Sequence, residues 1–266
     1  MKPAIASSLG GWILAVGAAT LGLPAAAASL DARYDVSLLG LTLGTANLTG
    51  GIEGSTYKLD LTAKLTGLIG GFTGGRGSGA ASGSLNGTKL SPTSFAVSSA
   101  SSSESRTVRM ALDSNTVAAV EIEPPIDAKP DRVPLNDGHR RNVIDPLSAF
   151  LMPVVGKGLA NACNRTLQIF DGAARYDIKM TQAGTREVKL EGYSGPVAAI
   201  AGHRSERPST KFMIENRDIS TWLAPVAGTN VMVPVRVSVK TMIGTAVLEA
   251  SSFKVDPGMT ASTARN

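Results

Sequence analysis

The residues best suited to acid–base chemistry in this chain are its two histidines, His139 and His203. Each precedes arginine directly, in His139-Arg140-Arg141 and His203-Arg204. A neighbouring guanidinium disfavours the protonated imidazole and so weakens histidine as a base. The chain also lacks the G-x-S-x-G sequence of a nucleophile elbow. We therefore predict no catalytic residue, and we treat His139, Arg140, Arg141 and His203 as candidates for the polar rim of a binding site.

Two further motifs fit known patterns but lie in an unsuitable context. Residues 75–80 match G-x-G-x-x-A, which binds a dinucleotide only where a helix follows, and here small, strand-like residues follow. Ser55 and Lys58 match S-x-x-K, but the S-D-N and K-T-G partners of that motif are missing. A single cysteine, Cys163, and two histidines leave little for a metal site, so we expect no metal and no cofactor. Cys163 is either free or bridged to another molecule.

The first 28 residues resemble a secretory signal peptide in composition. Lys2 is their only charge, an apolar run covers Trp12–Leu23, and alanines occupy positions 25–28. A short cationic region, an apolar core of this length and A-x-A spacing predict cleavage after Ala27 or Ala28. The apolar run is shorter than the ~20 residues that a membrane-spanning helix needs. The sequence therefore predicts an exported protein.

The charge distribution argues against nucleic acid as a partner. The formal net charge is +5, and the one dense basic patch, residues 139–141, lies in a proline-rich stretch without aromatic residues. Proteins that bind nucleic acid usually cluster basic residues and place aromatic side chains among them for stacking.

The elements that must position any site are mostly β-strands. From Arg33 onward, apolar residues recur mainly at every second position, which is typical of half-buried strands. The glycine- and serine-rich stretch 67–83 is either a mobile loop or a strand packed close to another backbone. Turn residues predict hairpins at Asn86-Gly87, Asp113-Ser114-Asn115, Asp171-Gly172 and Gly244.

One helix interrupts this pattern. Asp145 can cap it, Pro146 suits its first position, and Pro153 ends it early. The residues that share its apolar face are Leu147, Phe150 and Leu151.

The domain organisation that we predict is simple. The signal peptide occupies 1–28, a single β-rich domain occupies 29–256 with a proline-rich crossing at 123–142, and a polar disordered tail occupies 257–266. A single domain of this size is normal for an antiparallel sheet.

Several short phrases, in their order along the chain, resemble the domain-of-unknown-function 3108 family of exported Gram-negative proteins. They are Tyr34-Asp35-Val36, Gly40, Leu43-Gly44-Thr45-Ala46, Asp145-Pro146-Leu147-Ser148-Ala149, Cys163, Phe170-Asp171-Gly172, Arg175-Tyr176-Asp177, Tyr193-Ser194-Gly195, Ala201-Gly202-His203, Trp222-Leu223 and Pro234-Val235-Arg236. The chain is also loosely similar to the lipoprotein-carrier group, in which a curved antiparallel sheet with short helices shelters an acyl chain.

These resemblances imply a periplasmic, mainly β protein: an antiparallel curved sheet or partly open barrel with one or two short helices. They also imply a second cysteine and an additional strand between Tyr193-Ser194-Gly195 and Ala201-Gly202-His203. Here only residues 196–200 intervene, so the usual disulfide is missing.

The function that we predict is a non-enzymatic cell-envelope protein that binds a lipid or other hydrophobic molecule in the concave face of the sheet. Leu147, Phe150 and Leu151 are the candidate ligand-binding residues, although the same helix can simply plug the sheet. An envelope protein is a second expected partner. Two alternatives are open: a hydrolase of envelope polymers that uses His139 or His203, and an outer-membrane β-barrel, which the 5% aromatic content disfavours.

Overall fold

The computed structural model describes residues 27–66, 74–126, 134–156, 164–204, 218–241 and 243–258. Most of the predicted signal peptide, Cys163 and most of the predicted polar tail lie outside these ranges. The predicted cleavage site falls at the beginning of the first strand, where Ala28 is already buried.

Within the described ranges the chain forms fourteen strands in one sheet. They are β1 (Ala27–Leu38), β2 (Leu41–Glu53), β3 (Thr56–Leu65), β4 (Arg76–Asn86), β5 (Lys89–Ala100), β6 (Ser105–Asp113), β7 (Thr116–Glu123), β8 (Met152–Pro153), β9 (Arg165–Phe170), β10 (Arg175–Leu190), β11 (Tyr193–Arg204), β12 (Asp218–Val226), β13 (Val231–Thr241) and β14 (Gly244–Asp256). The predicted mainly β, antiparallel fold is confirmed. Strand β11 is continuous through 196–200, where the resemblance implied an additional strand.

The sheet is antiparallel, and its order is β7-β6-β5-β4-β3-β2-β1-β14-β13-β12-β11-β10-β9, with β8 added beside β13. Neighbours in the sheet are mostly neighbours in sequence. Most of these pairs are joined by a short connection, which is possible because the strands are antiparallel. The exceptions are β8 beside β13 and β1 beside β14, and the second of these pairs brings the two ends of the domain together. Strands β7 and β9 are the two edges and do not pair with each other, so the sheet is open.

The predicted hairpins are all present, and local turn chemistry explains them. Ser114 and Asn115 both have positive φ, of 50° and 63°, as a type I′ turn requires between β6 and β7. Gly87 has φ of 60° in the β4–β5 turn. The Asp171 carboxylate accepts hydrogen bonds from the amides of Ala173 and Ala174 between β9 and β10. Asn, Asp and Gly tolerate these conformations better than other residues do.

One face of the sheet carries the main core. In β3, for example, Tyr57 and Leu59 are buried, whereas Lys58 and Asp60 are exposed. We call the buried side of β1–β7 the inner face. The largest fully buried side chains include Tyr34, Phe170, Phe253, Leu48, Leu59 and Leu151. A second, methionine-rich cluster involves Met152, Val154, Met180, Ala198, Ile200, Leu223 and Met232.

The sheet curves until its two edges approach each other. A Cβ atom on Gly172, in the β9–β10 turn, would lie 2.6 Å from Val108 Cγ1 of β6. Between the edges runs the chain at 143–144: Val143 N donates to Asn115 O at 2.8 Å, and Ile144 N donates to Gln168 O at 2.9 Å. Residues 143–144, directly after the predicted crossing at 123–142, therefore bond to both sides of the gap that the strands leave open.

The predicted helix after Asp145 is reduced to a single 3₁₀ turn, Ser148–Phe150. Asp145 lies two residues before the N-cap position, Leu147, and its Oδ1 satisfies the free amides at the start of the turn by accepting hydrogen bonds from Leu147 N at 3.0 Å and Ser148 N at 2.8 Å. The turn is short because the next residues leave as strand β8 and pair with β13. We call the segment 143–154 the plug. A second 3₁₀ turn spans Asp137–Arg140.

Replacing Tyr34 by phenylalanine tests how strongly the curved sheet is tied across β14. The Tyr34 hydroxyl donates to Pro234 O of β13 at 2.8 Å, and the side chain is only 1% exposed. We expect Y34F to cost about 1–1.5 kcal/mol of unfolding free energy, because a buried carbonyl loses its donor. Y193F is the matched control, since Tyr193 makes the same kind of bond to Pro196 O in an exposed position. Urea denaturation that gives equal losses for the two variants would contradict this.

Candidate binding cavity

An open cavity of about 530 Å³ lies at one end of the inner face. We call this the mouth end of the sheet, where the β1–β2, β3–β4, β5–β6 and β13–β14 connections lie. The volume falls within the roughly 300–1,000 Å³ that is typical of small-molecule sites. The lining residues are Val36, Gly44, Thr45, Ala63, Lys64, Leu65, Gly75, Arg76, Gly77, Ser99, Ala100, Ser101, Glu104 and Arg106.

The cavity exists because small residues meet across three neighbouring strands. Ala63 of β3 pairs with Gly77 of β4, and Gly77 pairs with Ser99 of β5. Farther from the mouth, the same face carries Leu59 and Phe95, which fill the interior. The stretch 67–83 was predicted to be either a mobile loop or a closely packed strand. From Arg76 onward it is strand β4, and residues 67–73 lie outside the described ranges.

The plug lies beneath the cavity. Leu147 approaches Gly79, where an added Cβ atom would lie 3.7 Å from Leu147 Cδ2. Leu147 and Leu151 are 4% and 1% exposed and belong to the main core, and Phe150 packs against it. These three residues, the predicted ligand contacts, are not among the residues that line the cavity. Their contact with a ligand stays a prediction.

A buried polar group holds the plug in place. The Tyr57 hydroxyl and Ser148 Oγ lie 2.7 Å apart, and Asp145 and Ser148 are fully buried. Burial raises the pKa of the Asp145 carboxyl, against hydrogen bonds from Ser148 and Leu147 that lower it. Burial likewise raises the pKa of Tyr57, so its hydroxyl stays protonated. This group has the character of a structural anchor, since its tyrosine and serine are joined to each other and its carboxylate caps the turn.

The cavity combines an apolar wall with basic residues. The Arg106 guanidinium bonds to Glu104 at 2.8 Å, while its Nε atom is buried and has no hydrogen-bond partner among the described atoms. Lys64 and Arg76 lie directly opposite each other on β3 and β4. Like charges in that arrangement destabilise a strand pair. An amphiphile with an anionic head would suit such a lining.

The four residues predicted for the polar rim lie at the mouth end but do not line the cavity. His139 Nδ1 accepts a hydrogen bond from Asn136 N at 3.2 Å, and Arg140 and Arg141 follow it. Arg175 at the beginning of β10 fastens this turn. His203 lies near the end of β11, where its Nδ1 is 3.2 Å from Asp218 Oδ1 in an exposed pair. That pair lies outside the cavity, and the role of all four residues stays a prediction.

Sequence reasoning missed the residues that do line the cavity. Arg106 lies two positions before Val108 on β6, and Val108, Met110 and Leu112 are buried. The period-two pattern therefore places Arg106 on the inner face, which is a signal that could have identified it.

Across the ranges that the structure covers, no three His, Cys, Asp or Glu side chains are grouped as metal ligands. Nor is any helix there long and apolar enough to cross a bilayer.

The family model described as "Protein of unknown function (DUF3108)" matches residues 33–251, which include every residue that lines the cavity. The chain belongs to the DUF3108 family. No curated protein matches this DUF3108 chain. It is similar to a solved structure described as a β-barrel-like protein of domain of unknown function DUF1849 from Brucella abortus, with a TM-score of 0.48 and 8% identity. That likeness covers 88% of this chain and 99% of the other.

Proposed function

We propose that this DUF3108 protein is a non-enzymatic, periplasmic protein of the cell envelope that binds a lipid or other hydrophobic molecule in the cavity at the mouth end. The observation that carries the proposal is the open cavity of about 530 Å³, whose wall is built from small and apolar residues such as Val36, Ala63 and Leu65. Apolar ligands bind such walls at about 0.8 kcal/mol per buried methylene.

The arrangement of the lining favours an amphiphile over a wholly apolar ligand. The aliphatic and small residues of β1–β4 can surround an acyl chain. The free Nε of Arg106, on the inner face, can pair with an anionic head group. A buried donor without a hydrogen-bond partner is costly, and a ligand oxygen would satisfy it.

The test compares two phenylalanine substitutions on the same strand. Ala63→Phe places a ring in the cavity, whereas Thr62→Phe places it on the opposite face of β3, because side chains alternate along a strand. Displacing two methylenes of ligand costs about 1.6 kcal/mol, so A63F should weaken binding of a fluorescent fatty acid by about tenfold or more. T62F should bind as the wild type does.

The native ligand is identified from protein recovered from the periplasmic fraction, by mass spectrometry of its organic extract. An unrelated exported protein is the control. A stoichiometric apolar molecule that is absent from the control and depleted in A63F supports the proposal. Folded wild-type protein that carries no such molecule and binds no fatty acid would refute it, as would its absence from the periplasm.

A further inference from the structure

Two neighbouring hairpins at the mouth end expose large apolar side chains. Leu39 and Leu41, in and after the β1–β2 turn, are 68% and 70% exposed, and Ile243, in the β13–β14 turn, is 69% exposed. The hairpins are bonded to each other, since Leu39 N donates to Thr245 O at 3.1 Å. We call Leu39, Leu41 and Ile243 the apolar tip.

Leu39 has a backbone conformation that disfavours leucine. Its φ is 53°, and Gly40 follows with φ of 81°, so the turn has the positive angles of type I′. Asn, Asp and Gly are preferred there, and leucine is strained. The Leu39 side chain packs against Gly244 of the neighbouring hairpin but is still 68% exposed, so it gains little from burial within this protein. Its apolar character is therefore explained by contact with something outside the chain.

The charges beside the apolar tip have a single sign. On β13, β14 and β1–β4, the charged residues within two positions of the mouth end are Lys240, Lys64 and Arg76, and the next charge along β1 is Asp35, three positions from Leu38. None of the three makes an ion pair within the described ranges, although the structure provides ion pairs for Glu104 and for Asp218. Apolar side chains flanked by unpaired cations suit the interface of an anionic lipid bilayer, where each basic residue adds to the attraction.

The apolar tip also lies beside the cavity. Val36 and Gly44, which line the cavity, lie three residues from Leu39 and Leu41 along β1 and β2, about 10 Å at the rise of a strand. A bilayer in contact with the apolar tip would therefore lie next to the opening of the cavity.

We propose that the apolar tip, with Lys64, Arg76 and Lys240, docks this protein on an anionic lipid surface with the mouth of the cavity facing the bilayer. The inference does not require the cavity to be filled, so docking and ligand binding are separable. A protein partner or a second copy of the chain would use the same apolar residues without the dependence on lipid charge.

The experiment is co-sedimentation of the purified protein with phosphatidylethanolamine–phosphatidylglycerol vesicles and with phosphatidylcholine vesicles. We expect binding to the anionic vesicles to exceed binding to the zwitterionic ones by about tenfold and to fall with salt. L39N/L41S should weaken it by about tenfold or more. The matched control is V155S, because Val155 is 67% exposed and follows β8 at the other end of the sheet.

Two further variants make the result decisive. L39N alone puts a preferred residue at the positive φ, so it should leave the thermal midpoint unchanged or higher while it weakens vesicle binding. K64Q/R76Q should weaken binding more than K58Q/K89Q, which removes two lysines near the opposite turns. Absence of vesicle binding, equal losses in V155S, or tip variants that alter only self-association or capture of a protein would overturn the proposal. Fatty-acid binding that survives in L39N/L41S leaves the proposed function intact.

Discussion

Arg175→Met is expected to lower the free energy of unfolding by about 3 kcal/mol and to release the turn that carries His139. The Arg175 side chain is only 8% exposed, and its Nε atom lies 2.9 Å from Asp177 Oδ1. Its Nη1 atom donates to Gly138 O and Arg141 O at 3.1 and 3.0 Å. Methionine has a similar length but no donors, so it leaves the Asp177 carboxylate buried without a partner.

The control for this prediction is Arg109→Met. Arg109 pairs with Glu121 at 3.4 Å, but both side chains are more than half exposed, so the loss should stay below about 1 kcal/mol. R175M/D177N should recover part of the loss, because it removes the unpaired charge. R175K should fall between the wild type and R175M, since lysine cannot form the forked contacts of a guanidinium. The free energies of unfolding are measured by urea denaturation, and equal losses in R175M and R109M would contradict the prediction.

Asp145→Ala is expected to cost about 2–3 kcal/mol, whereas Asp145→Asn should cost much less. Alanine leaves the amides of Leu147 and Ser148 without an acceptor at a fully buried position. Asparagine keeps an oxygen for those amides and carries no charge. The Oδ2 atom of Asp145 has no partner among the described residues, so a neutral group suits that side of the site. Losses of equal size in the two variants would contradict this account of the cap.

The pH dependence of stability gives the same prediction a second test. Burial raises the pKa of Asp145 in the folded protein, so the folded state binds the proton more tightly than the unfolded chain does. The resulting stabilisation is complete below the unfolded pKa, near 3.9, and is lost as pH rises through the folded pKa. The stability of the wild type relative to D145N should therefore fall as pH rises from about 4. A difference that is constant or rises with pH would show that the carboxyl is not destabilised by burial.

Asp145 and Pro146 also show how much of the plug's structure can be predicted from local sequence. Asp145 before Pro146 predicts a capped turn, and the turn is present. The helix that was expected to follow is only Ser148–Phe150, because Met152 and Pro153 pair with Met232 and Val231 of β13, about 80 residues away in sequence. A distant strand decided where the turn ends.

The cavity could be anticipated only in part. Alternation along β6 places Arg106 on the inner face, and a strand rich in glycine indicates close approach to another backbone. The empty space itself depends on Ala63, Gly77 and Ser99 falling in register on three strands. That register is set by turns and by burial of the whole face, and no single segment contains it.

Local patterns in the sequence were enough to predict the fold class and the hairpins. Period-two apolarity and turns such as Ser114-Asn115 act over a few residues, so their effect can be read directly from the chain. The curvature, the cavity and the packing of the plug depend instead on long-range contacts in the folded chain. Val143 bonds to Asn115 and Ile144 to Gln168, and the first and last strands meet side by side. Such contacts join residues far apart in sequence, and they form only when the inner face is buried as a whole.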